Sequence, residues 1–390
     1  MKKITSCIAM TLGLALSNYL AAQVPVKPDH VILVIEENYA YSEIIGSSYA
    51  PTFTALSKQT TTVNFTQDYA ETHPSEPNYL CLFSGSQQGV TIDITGPAPK
   101  APFNDCNVGS SLISAGYSFI GYAESQPSVG WYKTNSGNYY TKHCPWINWM
   151  HGTKDTIPVT SDQPFSAFPD SNHYSNLPTF AWVTPNIVDD MHNPSGVPSI
   201  AIPNADTWFK TNIMPLVRWA SNPTNNTLVI VICDEDDGTK NNNIMLLFCS
   251  GLVKGGNNAT KLDHFDVLKT IEDMYSLPLC DSSAAGIDVP STIWKNPTEV
   301  NELKAQYNDV SVWPVPATDE MHVKLTAANE EKITLGVYDV TGRMVKEVPA
   351  NVVAGDNELV MNTSGILNGM YFLKINGEKI NACKKIIVSH

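Results

Sequence analysis

Long apolar runs, closely paired thiols and basic charge are what this sequence has least of. Nowhere in its 390 residues is there a run of about 20 apolar residues, the length that a membrane-spanning helix needs. An integral membrane segment is therefore not expected. No C-x-x-C pair occurs, which argues against a thiolate zinc site. G-x-S-x-G, the P-loop and H-E-x-x-H are all absent. With them go the commonest serine esterase, nucleoside triphosphatase and zinc protease chemistries. Lys and Arg number 24 against 38 Asp and Glu, for a formal charge of −14. So acidic a chain does not steer toward nucleic acid or anionic membrane. It can still receive a phosphate ester where a metal ion inverts the local field.

What the chain does have begins at its first residues. Lys2 and Lys3 precede a short apolar run from Ile8 to Leu16, and Ala21-Ala22-Gln23 follow. A basic start, a greasy middle and small residues at the end read as a signal peptide over residues 1–22, cut after Ala22. Its removal takes the charge from −14 to −16 and implies export through the periplasm. Export permits disulfides. Cys106 and Cys144 lie in polar, loop-like sequence and are the expected pair, whereas Cys233 and Cys249 sit in apolar strands as buried free thiols.

The body alternates strands and helices. Apolar runs at His30–Glu36, Tyr117–Tyr122, Thr179–Val183, Leu228–Cys233 and Ile244–Phe248 suit strands covered on both faces. Helical patterns fall at Ala50–Lys58, Ser110–Ala115, Thr207–Ala220 and Phe265–Tyr275. The fold class is α/β, a doubly wound and mostly parallel sheet. Between Phe103 and Tyr174 the pattern fades into a loop-rich cap, where selectivity would sit. Its aromatics (Trp131, Tyr132, Tyr139, Tyr140, Trp146, Trp149) read as cap core before they read as a ligand surface. We divide the mature chain into a catalytic domain at 23–298, a linker at 299–309 and a tail at 310–390. The tail shows short alternating strands, His322–Leu325, Lys332–Tyr338, Met344–Val348, Glu358–Met361, Met370–Ile375 and Lys384–Val388. These form a small antiparallel β-sandwich.

Polar residues cluster where strands end. The first strand runs into Glu36-Glu37-Asn38, and the Thr179 strand is followed by Asn186 and Asp189-Asp190-Met191-His192. The Leu228 strand ends in Asp234-Glu235-Asp236-Asp237-Gly238. Each cluster alone is an ordinary acidic turn, but ligands of open α/β sheets bind outside the carboxyl ends of strands. Converging carboxylates repel, and a bound cation relieves them. Oxygen ligands from Glu37, Asn38, Asp234 and Glu235 suit one divalent metal ion, Ca, Mg, Mn or Zn. The turn Thr72-His73-Pro74-Ser75-Glu76-Pro77-Asn78-Tyr79 supplies a serine, and coordination to a cation would make Ser75 a nucleophile as well as a ligand. Asn78 is placed to hold a phosphoryl oxygen, and His73 to orient the loop. His192 and His264 are candidates to assist, with Glu124 and Asp190 as substrate contacts.

Two resemblances follow from these strings. The tail, through Trp313-Pro314-Val315-Pro316-Ala317-Thr318, Val337-Tyr338-Asp339-Val340-Thr341-Gly342-Arg343, Asn368-Gly369-Met370-Tyr371-Phe372 and Lys384-Lys385-Ile386-Ile387-Val388, resembles the C-terminal sorting domain of type IX secretion. It departs from that pattern at Val315, where Asn is usual. The body, through Val34-Ile35-Glu36-Glu37-Asn38, the THPSEPNY loop, Trp182-Val183-Thr184-Pro185-Asn186 through His192, Cys233 to Gly238 and Asp263-His264-Phe265 through Leu277-Pro278, resembles a phosphoesterase family. That family holds bacterial phospholipases C and acid phosphatases within the alkaline phosphatase superfamily. The resemblance implies an alkaline-phosphatase-like fold and a secreted, metal-dependent phosphoric ester hydrolase. It implies Ser75 as nucleophile through a phosphoserine, Glu37, Asn38, Asp234 and Glu235 as metal ligands, and Asn78, His192 and His264 near the phosphate. Asn186 stands where two-zinc members have Asp, which favours one metal. A small phosphate monoester is the expected substrate. The alternatives are a phosphodiesterase of the phospholipase C type, or a non-catalytic surface protein that binds phosphate or glycan. The type IX machinery is the expected partner, and the destination is the medium or the cell surface.

Overall fold

The computed structural model describes residues 26–192, 196–295, 310–327, 329–339, 343–377 and 380–390. The expected signal peptide and linker lie outside them. Two units separate at Lys295.

In the first unit, in chain order, the strands are β1 (His30–Glu36), β2 (Thr62–Tyr69), β3 (Phe119–Ala123), β4 (Asp162–Pro164), β5 (Phe180–Thr184), β6 (Thr227–Cys233), β7 (Asn243–Cys249), β8 (Gly256–Asn258) and β9 (Leu262–Asp263). The helices are α1 (Tyr41–Ile44), α2 (Pro51–Leu56), α3 (Ser75–Ser84), α4 (Val108–Ser114), α5 (Pro198–Asn212), α6 (Met214–Ala220) and α7 (His264–Met274). The nine strands make one mixed, mostly parallel sheet in the order β4-β3-β5-β1-β6-β7-β2-β8, with β9 beside β2. β1 is the centre: Val31 to Ile35 are fully buried, as both-face coverage by helices requires.

Direction decides where chemistry can gather. β4, β3, β5, β1 and β6 are mutually parallel. β7 is antiparallel to β6, and β2 is antiparallel to β7. Two reversals return β2 to the direction of β6. The carboxyl ends of β3, β5, β1, β6 and β2 therefore open on one edge, and Glu124, Asn186, Glu37, Asp234 and Ser75 all follow those ends. The edge is tied by backbone bonds from Asp234 N–H to Glu36 C=O (3.0 Å), Glu37 N–H to Asp190 C=O (2.6 Å) and Glu124 N–H to Thr184 C=O (2.9 Å).

Several elements depart from the sequence reading. β2 and α3 were not anticipated. The helix expected over Thr207–Ala220 is instead α5 and α6, broken at Ile213. Pro215 lacks the N–H that a continuous helix would use there. The cap contains 3-10 turns at Thr141–His143 and Pro145–Trp149. Trp146, Trp149 and Tyr139 are buried in it, so these three are cap core. The Trp146 ring lies flat against Gly121, where a Cβ would come within 2.3 Å of it. The disulfide is Cys106–Cys280, not Cys106–Cys144. Cys144 belongs to the packed cap interior and is a buried free thiol, as are Cys233 and Cys249.

The second unit is a β-sandwich. Its strands are β10 (Ser311–Trp313), β11 (Glu320–Ala327), β12 (Glu331–Asp339), β13 (Met344–Val352), β14 (Gly355–Asn362), β15 (Gly369–Gly377) and β16 (Asn381–Val388). A three-stranded sheet, β10-β11-β14, accompanies a four-stranded one, β13-β12-β15-β16. Alternation along β11 buries Met321, Val323 and Leu325, and the other sheet supplies Ile333, Leu335, Leu373 and Ile375.

Candidate active site

Ser75 is the first residue of α3, and only 1 % of it is exposed. Every residue of this helix is buried. Pro74 precedes it, and Pro77 falls in the first turn, where a missing N–H costs nothing. Asn78 fastens the loop before it. Its side-chain oxygen accepts the N–H groups of Glu71 (3.1 Å) and Thr72 (3.0 Å), and its amide donates to Thr72 C=O (2.8 Å). The amide also lies 3.5 Å from Glu235 Oε2.

The Ser75 hydroxyl sits between two carboxylates, 3.1 Å from Glu37 Oε2 and 2.9 Å from Glu235 Oε1. On another side Lys142 Nζ donates to Ser75 Oγ at 3.3 Å and to Asp93 Oδ2 at 2.7 Å. Asp93 Oδ1 accepts the Glu76 N–H, so one carboxylate joins the lysine to the first turn of α3. Tyr79, one turn along α3, donates its hydroxyl to Glu37 Oε1 at 2.9 Å. Its ring stacks on His143 at 5.2 Å between centroids.

His143 links two strand ends. Its Nε2 lies 2.7 Å from Glu37 Oε1 and its Nδ1 3.2 Å from Asp190 Oδ2, although neither contact is aligned as a hydrogen bond. Ligand atoms of Glu37, His143 and Asp190 all fall within 4.8 Å of one another, and all three residues are buried. This is a possible metal-binding trio, distinct from the sequence-derived set but sharing Glu37. Asp234 is fully buried beside Glu235, with Oδ1 on the Glu235 N–H and Oδ2 without a partner. His73 bridges Glu235 Oε2 (2.6 Å) and Asp236 Oδ1 (3.3 Å).

The charges are strongly interdependent. Burial alone would raise the Glu37 carboxyl, but the His143 and Lys142 charges outweigh it and hold Glu37 well below the usual carboxylate range. Burial works against the His143 cation too, yet Glu37 and Asp190 lift the ring to about 9. Burial, then the Glu37 and Glu235 charges, push Asp234 far up. Glu235 is raised to about 8 by burial and by Glu37. Crowded, desolvated acids of this kind with an orphaned buried oxygen fit a cation site.

Of the residues anticipated from sequence, Glu37, Ser75, Asn78, His73 and Glu235 meet in direct contact, with Asp234 alongside. Asn38 follows Glu37, half-buried, and among the described residues its side chain makes no hydrogen bond to the cluster. Asp190 joins through His143. The His192 N–H donates to Asp190 Oδ1 (2.9 Å), and its buried Nδ1 has no partner. Glu124 accepts the Asn186 N–H at 3.0 Å. His264 lies behind β6, with Nε2 3.2 Å from Cys233 C=O, and burial lowers it to about 4. Among the described residues no hydrogen bond or ion pair joins Glu124 or His264 to Ser75. Lys142, His143, Tyr79 and Asp93 escaped the sequence reading. Only the adjacency of Lys142 and His143 in a polar cap segment hinted at them.

A family model described as the phosphoesterase family matches residues 48–278. The chain belongs to the phosphoesterase family. A second model, a secretion system C-terminal sorting domain, matches residues 311–389. Phosphatidylinositol-3-phosphatase of Mycobacterium tuberculosis is 39% identical over 273 residues, 70% of this chain and 85% of that one. Acid phosphatase of Aspergillus fumigatus is 29% identical over 224 residues, 55% of this chain and 48% of the fungal one, so the match spans about half of that relative. Among solved structures, phosphonate monoester hydrolase of Agrobacterium radiobacter aligns with a TM-score of 0.43 at 12% identity, covering 86% of this chain and 89% of that one. This phosphoesterase is thus a phosphoric ester hydrolase with an export tail. Among the described residues no helix is long and apolar enough to cross a membrane.

Proposed function

We propose that this phosphoesterase is an exported phosphomonoesterase in which Ser75 carries the phosphoryl group between substrate and water. The observation behind this reading is the Ser75 hydroxyl: buried, at the start of a buried helix, and held between Glu37 and Glu235. The names of the relatives, a phosphatidylinositol phosphatase and acid phosphatases, support a monoester as substrate.

Glu37, Ser75, Asp234 and Glu235, with Asn38 adjacent, would hold one divalent cation, Ca, Mg, Mn or Zn. When bound, it would supply Lewis-acid stabilisation of phosphoryl oxygen charge and lower the pKa of the serine hydroxyl. The rest falls to side chains. Ser75 Oγ forms a bond to phosphorus as the ester oxygen departs opposite it. The hydroxyl proton passes to Glu235 Oε1, 2.9 Å away. His192, whose buried Nδ1 is unpartnered, is the proposed donor to the leaving oxygen. Water then attacks the phosphoserine in a second in-line step, passing a proton to His192, and Ser75 recovers its proton from Glu235 as phosphate leaves. His73 holds Glu235 in place across this cycle, and Asn78 keeps the loop shaped. Glu124 and Asp190 are the proposed contacts for the alcohol. Export would use the leader at 1–22 to reach the periplasm and the tail at 310–390 to engage the type IX machinery, ending in the medium or on the cell surface.

The test is turnover of p-nitrophenyl phosphate and its bis-ester by the mature protein, with metal content measured on the same sample. Monoester turnover that Ser75→Ala abolishes is the expected result, and acid-quenched wild-type protein should carry one phosphoryl group on Ser75. Turnover confined to the bis-ester, or wild-type rates in Ser75→Ala, would overturn the reading.

A further inference from the structure

We infer that Lys142 is a catalytic residue that grips a non-bridging oxygen of the substrate phosphoryl group and so favours dianionic monoesters over monoanionic diesters. The inference rests on the phosphomonoesterase reading above for its chemistry, but its evidence is separate.

Lys142 is 7 % exposed, and among the described residues no other Lys or Arg is buried. Its Nζ has three donors. One meets Asp93 Oδ2 at 2.7 Å and one meets Ser75 Oγ at 3.3 Å, and the third has no acceptor among the described residues. The unspent donor stands beside the atom that must touch phosphorus. Of the histidines around the site, His192 is assigned above to the leaving oxygen, and the other two are held by acids. His143 lies between Glu37 and Asp190, and His73 lies between Glu235 and Asp236.

The neighbourhood explains why a lysine is needed here. Glu37, Asp190, Asp234 and Glu235 are all buried around the serine. An incoming phosphoryl group adds negative charge to that set. Above a pH of about 6 a monoester carries two charges and a diester one. A buried ammonium interacts most with the extra charge, because little water screens it. Asp93 fixes the lysine without consuming it, since the same carboxylate also holds the Glu76 N–H in the first turn of α3. The lysine and the nucleophile are thereby positioned on one brace.

The test uses the full mature chain with its metal content verified. Lys142→Met removes the charge and keeps the length. Hydrogen bonds to charged groups are worth enough that the monoester kcat/KM should fall about 10–100-fold, and the bis-ester, which offers the lysine one negative charge instead of two, should fall by a clearly smaller factor. Affinity for inorganic phosphate, titrated calorimetrically, should fall by a similar factor, about 10–100-fold. Equal losses on both esters, or phosphate affinity that does not change, would overturn the assignment. Should Lys142→Met lose native circular dichroism, Lys142→Gln, which retains an amide donor for Asp93, carries the same measurements with the same expected results. If the wild-type protein turned over no monoester, the functional reading would fall. The phosphate titration of the variant would then decide the lysine's role by itself.

Discussion

At the residue scale the site divides into side chains that sit at strand ends and side chains that do not. Glu37, Asp234 and Glu235 were legible because apolar runs stop abruptly at acids, and a parallel sheet brings such stops to one edge. Ser75 was legible because its loop places it between prolines. Lys142 and His143 were not, since a 3-10 turn in a cap has no periodicity to read and its position depends on packing across the whole chain. The expected outcome for Ser75→Ala is a fall in kcat of at least about a thousandfold with a melting temperature close to wild type. The small change follows because the hydroxyl's partners are solely site groups, Glu37, Glu235 and Lys142. Chelation of divalent cations should likewise stop turnover, and readdition should restore it. Asp234→Asn should lower bound metal measured by elemental analysis. A variant that keeps full metal occupancy would remove Asp234 from the ligand set.

At the scale of elements, α3 is the lesson. A helix buried on every side shows no amphipathic stripe, so Ser75–Ser84 read as a turn followed by an apolar string. Its end, however, is dictated by one residue. Gly85 takes φ +71, and a Cβ there would lie 1.9 Å from Cys280 C=O. Cys280 is itself bonded to Cys106, and the Ser282 N–H returns to Gly85 C=O at 3.1 Å. The helix that begins at Ser75 thus ends against a cross-linked corner with no room for a side chain. Gly85→Ala should destabilise by about 3 kcal/mol or more, through both the left-handed backbone and the clash. Urea unfolding followed by tryptophan fluorescence would measure it, and a loss under about 1 kcal/mol, the low end of what a left-handed backbone alone costs, would mean that the corner yields. Cysteine pairing was misread for a related reason. Sequence places Cys144 in polar surroundings, but the cap folds inward there, and only the three-dimensional approach of residues 106 and 280 selects the bond.

At the scale of the whole molecule, the acidic composition returns as a pattern of buried acids. Class, the mostly parallel sheet and the change of character at the tail could be read from periodicity, because each is a property of many residues together, whereas the antiparallel direction of β7 could not. The ionisation of individual acids could not. Glu272, on α7, is an example away from the candidate site. Its carboxylate accepts the Cys280 N–H at 3.0 Å and the Ser283 hydroxyl at 2.7 Å. Burial nonetheless raises it to about 7, with Asp273 adding to the rise and Lys269 opposing it. The folded state therefore binds a proton that the unfolded chain, with an ordinary carboxyl near 4.5, releases. The stability from this proton is fully present below about pH 4.5 and is lost as pH rises through 7. Asp162, held by Trp146 and Gln126 and likewise raised by burial to about 7, acts in the same direction. The melting temperature of the wild-type protein should fall between pH 5 and pH 8. Glu272→Gln isolates one contribution. The amide oxygen can accept from Cys280, and the amide N–H can donate to Ser283, whose hydroxyl can turn to Cys280 C=O, 2.7 Å away. The variant should match wild type near pH 5 and exceed it near pH 8 by several degrees, at about 2–4 °C for each kcal/mol in a unit of this size. Identical slopes in the two proteins would show that Glu272 is already ionised throughout that range, and that its two donors outweigh its burial.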